Sequence, residues 1–227
     1  MTRIYLLDYK GAGAEIINRS ALPFSVGKTK NENLRRQRIA SYMLLSYAYG
    51  EMFSDSMPPI ERDENGRPFF VGKDIDFNLS HDKDISALVI SDEWRVGIDV
   101  QCLSANVTPR LIDKADNLYA KISPFVLNLD GAFDSLQVKT LALFDENGEL
   151  RFEEVDSFIV DEVASFDKTL KFFSRWSLIE AVSKAYGEGI SGIKKIAENS
   201  VSFYVREALI TDLSGERYSF AVSKKNK

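Results

Sequence analysis

Three short segments of the sequence carry side chains that could act together in binding or catalysis. The segment NLSH at residues 78–81 brings an amide, a hydroxyl and the only histidine of the chain into one turn after an apolar run. In the strand-like segment GIDVQ, alternation puts the carboxylate of Asp99 and the amide of Gln101 on one face. Glu180 and Lys184 stand at i and i+4, the spacing that makes helical side chains neighbours.

The carboxylates in these segments suit a hard cation. Magnesium is commonly held by one or two carboxylates, while water and substrate phosphates complete its shell. Each segment also has a plainer interpretation when it is taken alone. Asp99 could satisfy a turn, a lone histidine is more often structural than catalytic, and Glu180 with Lys184 could be a surface ion pair of little energetic weight.

A basic cluster near the start of the chain could hold a small polyanion. Its members are Lys28, Lys30, Arg35, Arg36 and Arg38. A solvated helix face is the alternative interpretation. The formal net charge of −5 argues against sequence-independent binding of nucleic acid, because such binding depends on basic residues that neutralise backbone phosphates.

Composition favours a folded protein of a reducing compartment. The 227 residues are 44% hydrophobic and 28% charged, which is ordinary globular usage. The single cysteine, Cys102, cannot form an intramolecular disulfide and offers no zinc-ligand spacing. We find no basic leader with a long apolar core and no apolar run of bilayer length, so we expect a cytoplasmic protein that does not bind membranes.

The periodicity of apolar residues predicts a mixed α and β chain. Helices are predicted at residues 31–49, 109–121 and 168–186, and strands at 3–8, 15–17, 75–79, 85–90, 95–100, 201–209 and 217–222. A hairpin is predicted at 137–144 and 149–155 around the turn Asp145-Glu146-Asn147-Gly148. We expect the runs at 75–79, 85–90 and 95–100 to form strands of one sheet.

The chemistry-bearing segments, taken in order, resemble the 4′-phosphopantetheinyl transferases of the larger, surfactin-synthetase-activating type. The residues that carry the resemblance are Asn65-Gly66-Arg67-Pro68, Asn78-Leu79-Ser80-His81, Gly97-Ile98-Asp99 and Trp176-Ser177-x-x-Glu180-Ala181-x-x-Lys184. Each motif is weak by itself, and the ordered set is specific. Looser similarity runs from the basic helix near Lys28 to the closing strands and excludes roughly residues 104–165.

The resemblance implies an α/β (α+β) fold of two similar subdomains related by a pseudo-two-fold axis in one monomeric chain. We place the subdomains at residues 1–98 and 99–227, with an inserted segment at about 124–160. Members of the family transfer the phosphopantetheine arm of coenzyme A to a serine of an apo acyl or peptidyl carrier protein, with magnesium. They release adenosine 3′,5′-bisphosphate.

Site residues follow from the motifs by resemblance. Asp99 and Glu180 would bind magnesium, with Gln101 beside them, and Glu180 would also accept the serine proton. Lys184 would meet the pyrophosphate. The nucleotide end, with its 3′-phosphate, would be held by Lys28, Arg36, Arg67, Ser80 and His81. Lys30 stays open as a substitute for Lys28, and Arg35 and Arg38 as substitutes for Arg36.

Three departures from the family pattern bear on activity. Gln101 replaces a second acidic metal ligand, Ile179 replaces a lysine before the glutamate, and the gap from Asp99 to Glu180 is longer than usual. The insertion leaves the position of a further acidic residue open among Glu153, Glu154, Asp156 and Glu162. The alternative function is therefore a degenerate relative that binds coenzyme A or a carrier protein and regulates it without catalysis.

Overall fold

The computed structural model describes residues 1–12, 17, 30–104, 106–128, 137–146, 149–155, 159–161 and 168–226. Its helices are α1 (Glu32–Phe53), α2 (Pro109–Ile122), α3 (Lys168–Tyr186) and α4 (Ile193–Asn199). Its strands are β1 (Thr2–Asp8), β2 (Ile60–Arg62), β3 (Pro68–Phe70), β4 (Asp76–Asp82), β5 (Ile85–Ser91), β6 (Trp94–Cys102), β7 (Val126–Asn128), β8 (Gln137–Glu146), β9 (Glu149–Glu154), β10 (Ile159–Asp161), β11 (Phe203–Thr211) and β12 (Arg217–Asn226).

The strands form two larger sheets and one small ribbon. The first sheet has the order β4-β5-β1-β8-β9, and the second has the order β10-β11-β12-β6 with β7 paired to β11. Strands β2 and β3 pair around the turn at Asp63 to Gly66. Gly66 adopts a φ of 81°, a left-handed conformation that glycine accepts without strain.

Helices cover the outer faces of two sheets that pack against each other. Apolar side chains of β1 and β5 meet those of β6, β11 and β12 in a buried cluster between the sheets. A second cluster joins α1 to the outer face of the first sheet, and a third joins α2, α3 and α4 to the second sheet. The α/β (α+β) fold class is therefore confirmed, whereas the pseudo-two-fold relation stays a prediction.

The helix positions agree closely with the periodicity of the sequence. α3 has the predicted bounds, and α2 extends one residue beyond its predicted end. α1 continues to Phe53, and the side chain of Asn31 caps it by accepting a hydrogen bond from Leu34 N at 3.1 Å. Residue 17, in the predicted strand 15–17, is instead helical and buried, and residues 15 and 16 lie outside the described residues.

The expectation that residues 75–79, 85–90 and 95–100 share one sheet is wrong. β4 and β5 pair in the first sheet, but the chain turns at Ser91 to Glu93 and β6 pairs with β12 in the second. Ile98 and Val100 point into the apolar layer between the sheets, so β6 faces β5 across that layer. Hydrophobic alternation specifies a buried face and leaves the choice of hydrogen-bonded neighbour open.

Side chains of β4 hydrogen bond to the free edge of β6 in place of a missing strand. The acceptors alternate along β4, and their partners alternate along β6: Asp76 Oδ2 with Val96 N at 2.8 Å, Asn78 Oδ1 with Ile98 N at 3.0 Å, Ser80 Oγ with Val100 N at 3.3 Å, and Asp82 Oδ2 with Cys102 N at 2.7 Å. These bonds satisfy buried backbone donors of β6 that pair with no strand of the described residues. They also fix β4 and β6 in register.

The segment that the resemblance predicts to be inserted, at about residues 124–160, contributes strands to the first sheet. β8 and β9 form the predicted hairpin, and β8 pairs in parallel with β1, from Arg3 with Gln137 to Asp8 with Ala142. Leu141 and Leu143 are fully buried in the core beneath α1. The predicted boundary between residues 98 and 99 lies within β6, and the two-subdomain division stays a prediction.

Candidate functional site

α3 crosses β6 at Gly97, and this crossing brings the two halves of the candidate site together. A Cβ atom on Gly97 would lie 2.0 Å from the carbonyl oxygen of Ala181 and 2.5 Å from the nitrogen of Ala185. Only glycine permits so close an approach of strand and helix. Asp99, two residues further along the same face of β6, therefore lies beside the helix turn that contains Glu180 and Lys184.

Asp99 is almost fully buried, with 2% of its surface exposed, and both carboxylate oxygens accept hydrogen bonds. Oδ1 accepts from Ser80 Oγ at 2.9 Å and from Lys184 Nζ at 2.7 Å. Oδ2 accepts from Gln101 Nε2 at 3.0 Å. A buried carboxylate needs such partners, because an unpaired charge in a dry environment is costly. Alternation along β6 thus places Asp99 and Gln101 on one face, as predicted.

Lys184 joins α3 to β6 through its ammonium group. Besides Asp99, Nζ donates to the carbonyl oxygen of Ile98 at 3.0 Å and to Ser80 Oγ at 3.2 Å. An ammonium group has three hydrogens, and these three acceptors match them. To contact a diphosphate, Lys184 would have to break one of these hydrogen bonds, or share one of its hydrogens between the present acceptor and a phosphate oxygen.

Glu180 lies one turn before Lys184 and is partly buried. Among the described residues, its carboxylate has no hydrogen bond or ion pair. Burial raises the pKa of Glu180, and the nearby charge of Asp99 raises it further, whereas Lys184 and Lys114 oppose this rise. Asp99 and Glu180 therefore share one electrostatic environment, in which a bound cation would favour the ionised form of Glu180.

Glu180 and Gln101 are side chains of this site that could offer oxygen atoms to a magnesium ion. Among the described residues, no group of three or more His, Cys, Asp or Glu side chains is placed to hold a metal by itself. Magnesium needs fewer protein ligands, because water and substrate phosphates complete its shell. Glu180 has carboxylate oxygens that no described group uses, and Gln101 could offer its amide oxygen to a cation after rotation of the amide.

His81 lies at the rim of this site, beyond Ser80 on β4. Burial lowers the pKa of His81, and the positive charges of Lys184 and Arg38 lower it further, whereas Asp82 opposes this effect. The imidazole is therefore neutral at pH 7 in the free protein. A site with several cations and one neutral histidine suits a phosphate group, whose charge would restore protonation.

The basic residues of α1 are not equivalent. Arg36, the predicted ligand of the nucleotide, forms an ion pair with Asp84 and lies over the ring of Tyr9, with the guanidinium carbon 5.3 Å from the ring centroid. Arg38, an alternative to Arg36, is the arginine whose charge acts on the pKa of His81. Lys28 lies outside the described residues, and Lys30 is exposed just before the helix.

Arg67 is buried, and its guanidinium connects three parts of the fold. Nη2 donates to Asp76 Oδ2 at 2.6 Å and to the carbonyl oxygen of Val96 at 2.9 Å, and Nη1 donates to the carbonyl oxygen of Lys184. A charged group with so many protein acceptors holds β4, β6 and the end of α3 together. Arg67 therefore stabilises the elements that carry the site residues. Direct contact of Arg67 with coenzyme A stays a prediction.

Two contributors to the site were missed at the sequence level. Lys114 of α2 lies 5.4 Å from the ring centroid of Trp176, and its charge lowers the pKa of Glu180. Asp76 and Asp82 were missed as well, and so was the role of Asn78 and Ser80 as acceptors for β6, although the alternation of these four residues is visible in the sequence. Polar residues at every second position of an apolar strand signal a polar contact on that face.

The structure bears on two points that the sequence leaves open, the replacement of a lysine by Ile179 and the position of a further acidic residue. Ile179 is fully buried in the core beneath α3, so a lysine at this position would point away from Asp99. Glu154 forms an ion pair with Lys139 at 3.1 Å on the first sheet, and Glu153 is exposed on β9. Asp156 and Glu162 lie outside the described residues.

Neither a scan against models of known protein families nor a search of the curated proteins finds a match to this chain. In the described ranges, no helix is both long enough and apolar enough to cross a bilayer. The geometry of Asp99, Glu180 and Lys184, together with the motifs of the sequence, is therefore the basis for a functional proposal.

Proposed function

We propose that this protein transfers the 4′-phosphopantetheine arm of coenzyme A to a serine hydroxyl of an apo carrier protein. The convergence of Asp99 and Glu180 carries the proposal. Lys184 Nζ lies 2.7 Å from Asp99 Oδ1, and the charges of Lys184 and Asp99 both act on the pKa of Glu180. A strand carboxylate, a helix carboxylate and a lysine thus share one electrostatic environment, which supports binding of one cation and one diphosphate once Asp99 and Lys184 exchange some of their present hydrogen bonds.

Substrate binding would use the cationic side of the site. Lys184 would weaken its hydrogen bond to Asp99 and donate to the pyrophosphate oxygens, which are also negatively charged acceptors. The nucleotide end would lie toward Ser80 and His81, near the basic residues of α1. His81 is neutral before binding, so the arrival of a phosphate would favour its protonation.

Asp99 and Glu180 would hold magnesium, with Gln101 offering an amide oxygen. When bound there, the ion would neutralise part of the negative charge of the diphosphate, including the charge that develops on the leaving oxygen during transfer. The protein side chains keep this charge in a partly buried place, where electrostatic interactions are stronger than in water.

In the reaction, the serine oxygen forms a bond to the phosphorus that carries the pantetheine arm. The bond from that phosphorus to the bridging oxygen breaks, and its electron pair leaves with adenosine 3′,5′-bisphosphate. Glu180 accepts the serine proton directly or through one water. In the metal-free protein burial raises the pKa of Glu180, and a bound cation would lower it again, so that the carboxylate is ionised and able to accept the proton.

The test is an intact-mass assay with purified protein, coenzyme A, magnesium and a panel of apo carrier proteins. We expect a mass gain of one phosphopantetheine unit on at least one carrier.

Glu180→Gln and Asp99→Ala should each lower the rate of transfer by at least about a hundredfold and keep the protein folded. The matched control is Glu207→Gln, a partly buried glutamate on β11 that accepts a hydrogen bond from Ser174, and its rate should match the wild type. No transfer to any carrier, or full transfer by Glu180→Gln, would refute the proposal.

A second candidate is a binding protein without catalysis. The observation that favours it is that both oxygens of Asp99 are already bonded, one of them to the amide of Gln101. Such a protein would bind coenzyme A or a carrier protein with an affinity that does not depend on magnesium. Calorimetry with and without magnesium distinguishes it from the transferase. A cytoplasmic location, a monomeric state and the absence of nucleic-acid or membrane partners stay predictions.

A further inference from the structure

A second cationic cavity lies on the other side of the crossing between α3 and β6. Its volume is about 520 Å³, and its walls include Arg67, Phe69, Lys73, Asp76, Arg95 and Lys225. Arg95 is on the same face of β6 as Gly97 and Asp99, four residues before Asp99, which corresponds to about 13 Å along a strand. α3 passes over Gly97 between the two places, so this cavity is separate from the site at Asp99.

Two basic side chains lie directly opposite each other on adjacent strands that line this cavity. Arg95 of β6 and Lys225 of β12 are direct register partners. Like charges in this position disfavour strand pairing. Within the described residues, neither side chain has an ion pair with a carboxylate. Burial lowers the pKa of Lys225, and the charges of Arg95 and Arg67 lower it further, whereas Asp76 opposes them.

Three acidic residues line the cavity, Asp63, Asp74 and Asp76, and Asp63 and Asp76 have partners in the surrounding structure. Asp76 is bonded to Arg67 at 2.6 Å and to Val96 N at 2.8 Å. Asp63 accepts from the backbone nitrogens of Asn65 and Arg67 in the turn of the small ribbon. The charges of Asp63 and Asp76 therefore serve the turn and Arg67, and the lining as a whole has four cationic side chains against three carboxylates.

Neutral neighbours hold the two cations in position. Lys225 Nζ lies 5.3 Å from the ring centroid of Tyr186. Arg95 lies at the C-terminal end of α3, where a Cβ atom on Gly187 would be 3.1 Å from its Nη2. A helix end offers only a partial negative charge, so these contacts orient the side chains without neutralising them.

Part of the cavity lining is apolar. Phe69 exposes 37% of its surface, and Ile75 and the buried Phe70 continue the wall beside it. A cavity with an apolar wall and a few charged groups is typical of sites for small organic molecules, and its volume is within their usual range.

We propose that the cavity between Arg95, Lys225 and Phe69 binds a small organic anion, whose phosphate or carboxylate group lies between the two cations and whose flat or apolar part lies on Phe69. The anion supplies the negative charge that the cross-strand pair of cations lacks. The proposal does not depend on transferase activity, because the cavity contains neither Asp99 nor Glu180 and shares only Arg67 with the predicted ligands of coenzyme A.

The experiment measures thermal unfolding in EDTA at constant ionic strength, with inorganic phosphate or phenyl phosphate as the probe. We expect phenyl phosphate to raise the Tm of the wild type by about 3 °C at ten times its Kd, and inorganic phosphate to raise it less. Arg95→Gln and Lys225→Gln should each remove this shift. Phe69→Ala should remove only the advantage of phenyl phosphate over inorganic phosphate.

The matched control is Lys224→Gln, on the same strand and the opposite face, where the ammonium lies 4.6 Å from the ring centroid of Trp94. This variant should keep the full shift. The single histidine reports on the other site, and its NMR signals should not move when phenyl phosphate binds. An absent shift in the wild type, an equal shift in all variants, or movement of the His81 signals alone would overturn the proposal.

Discussion

Glu180 connects the stability of this protein to the chemistry proposed for it. Its pKa is raised by burial first and by Asp99 second, so the ionised side chain is held in an unfavourable place. Such groups are common at functional sites, because a ligand or substrate can relieve the energetic cost. The neighbouring Lys184 reduces this cost only in part, since its hydrogens are already directed to Asp99, Ser80 and Ile98.

We predict that Glu180→Gln stabilises the metal-free protein at neutral pH. The unfolded glutamate has a pKa of about 4.3, and the folded value is higher, so ionisation disfavours folding as pH rises through the folded pKa. Melting curves should show a higher Tm for the variant at pH 7.5, and a gain that shrinks toward pH 4. Magnesium with coenzyme A should stabilise the wild type and not the variant.

Glu207→Gln provides the control for this result. Burial also raises the pKa of Glu207, and Ser174 and Arg175 oppose the rise, so this variant should show a similar gain with the same dependence on pH. It should, however, keep the stabilisation by magnesium and coenzyme A. A variant of Glu180 that is no more stable than the wild type at pH 7.5 would mean that the glutamate is solvated.

We predict that His81 titrates below its ordinary pKa of about 6.5 in the free protein and at a higher pKa with coenzyme A bound. Burial, Lys184 and Arg38 disfavour the charged imidazole, and a neighbouring 3′-phosphate would favour it. Because the chain has one histidine, an NMR titration assigns the signal directly. Dephospho-coenzyme A, which lacks the 3′-phosphate, should leave the pKa unchanged, and an equal effect of both ligands would contradict the predicted contact.

The contact between β6 and α3 determines whether the carboxylates meet. Gly97 allows the helix to approach the strand, and Ser223 of β12 donates to the carbonyl oxygen of Ala181 at 2.8 Å at the same place. Arg67 holds the carbonyl oxygen of Lys184 from the other side. These contacts act on the helix backbone. They therefore fix the distance of α3 from the sheet and the rotation of the turn that carries Glu180 and Lys184.

Gly97→Ala should destabilise the protein by about 1 to 3 kcal/mol or more, because the added methyl group meets helix backbone at 2.0 Å. The helix must shift, and magnesium-dependent binding of coenzyme A should weaken with it. Gly50→Ala is the matched control, since Gly50 lies within α1 and an added Cβ would meet nothing within 4 Å. Urea denaturation should show a gain of about 0.5 to 1 kcal/mol for the control. Equal stability of both variants would exclude close packing at Gly97.

The inserted segment is part of the core of the first sheet. β1 is flanked by β5 on one side and by β8 on the other, so residues more than 130 positions apart in sequence pair along six positions. Deletion of residues 124–155 would expose the edge of β1 and empty the core beneath α1. Substitutions at exposed residues of β9, such as Glu149 and Glu153, are therefore the better test of whether the insertion shapes the choice of carrier protein.

Leu141→Ala should lower the free energy of unfolding by about 2 to 5 kcal/mol, because its side chain is fully buried between α1 and the first sheet. Val138→Ala, on the same strand with 38% of its surface exposed, should change the free energy of unfolding by less than about 0.5 kcal/mol. Both values come from urea denaturation followed by circular dichroism. Equal values for the two variants would show that the hairpin is an appendage and not part of the core.

Local patterns in the sequence determined the helices, most strands and the shared face of Asp99 and Gln101. These features depend on neighbours within one turn or one strand, such as the cap at Asn31 and the proline at the start of α2. They were predictable because helix and strand periodicities are short. The motif residues at Glu180 and Lys184 were also correctly placed on one helix face.

Only the tertiary structure decided which elements meet. It put β6 in the second sheet, paired β8 with β1, brought Lys114 to Glu180, and surrounded Arg67 with protein acceptors. Strand alternation does not encode the neighbouring strand, and a charge does not encode its partner, because both are chosen by burial and by contacts between distant segments. The identities of the candidate site residues were thus visible in the sequence, whereas their approach to one another required the packing of α3 on β6.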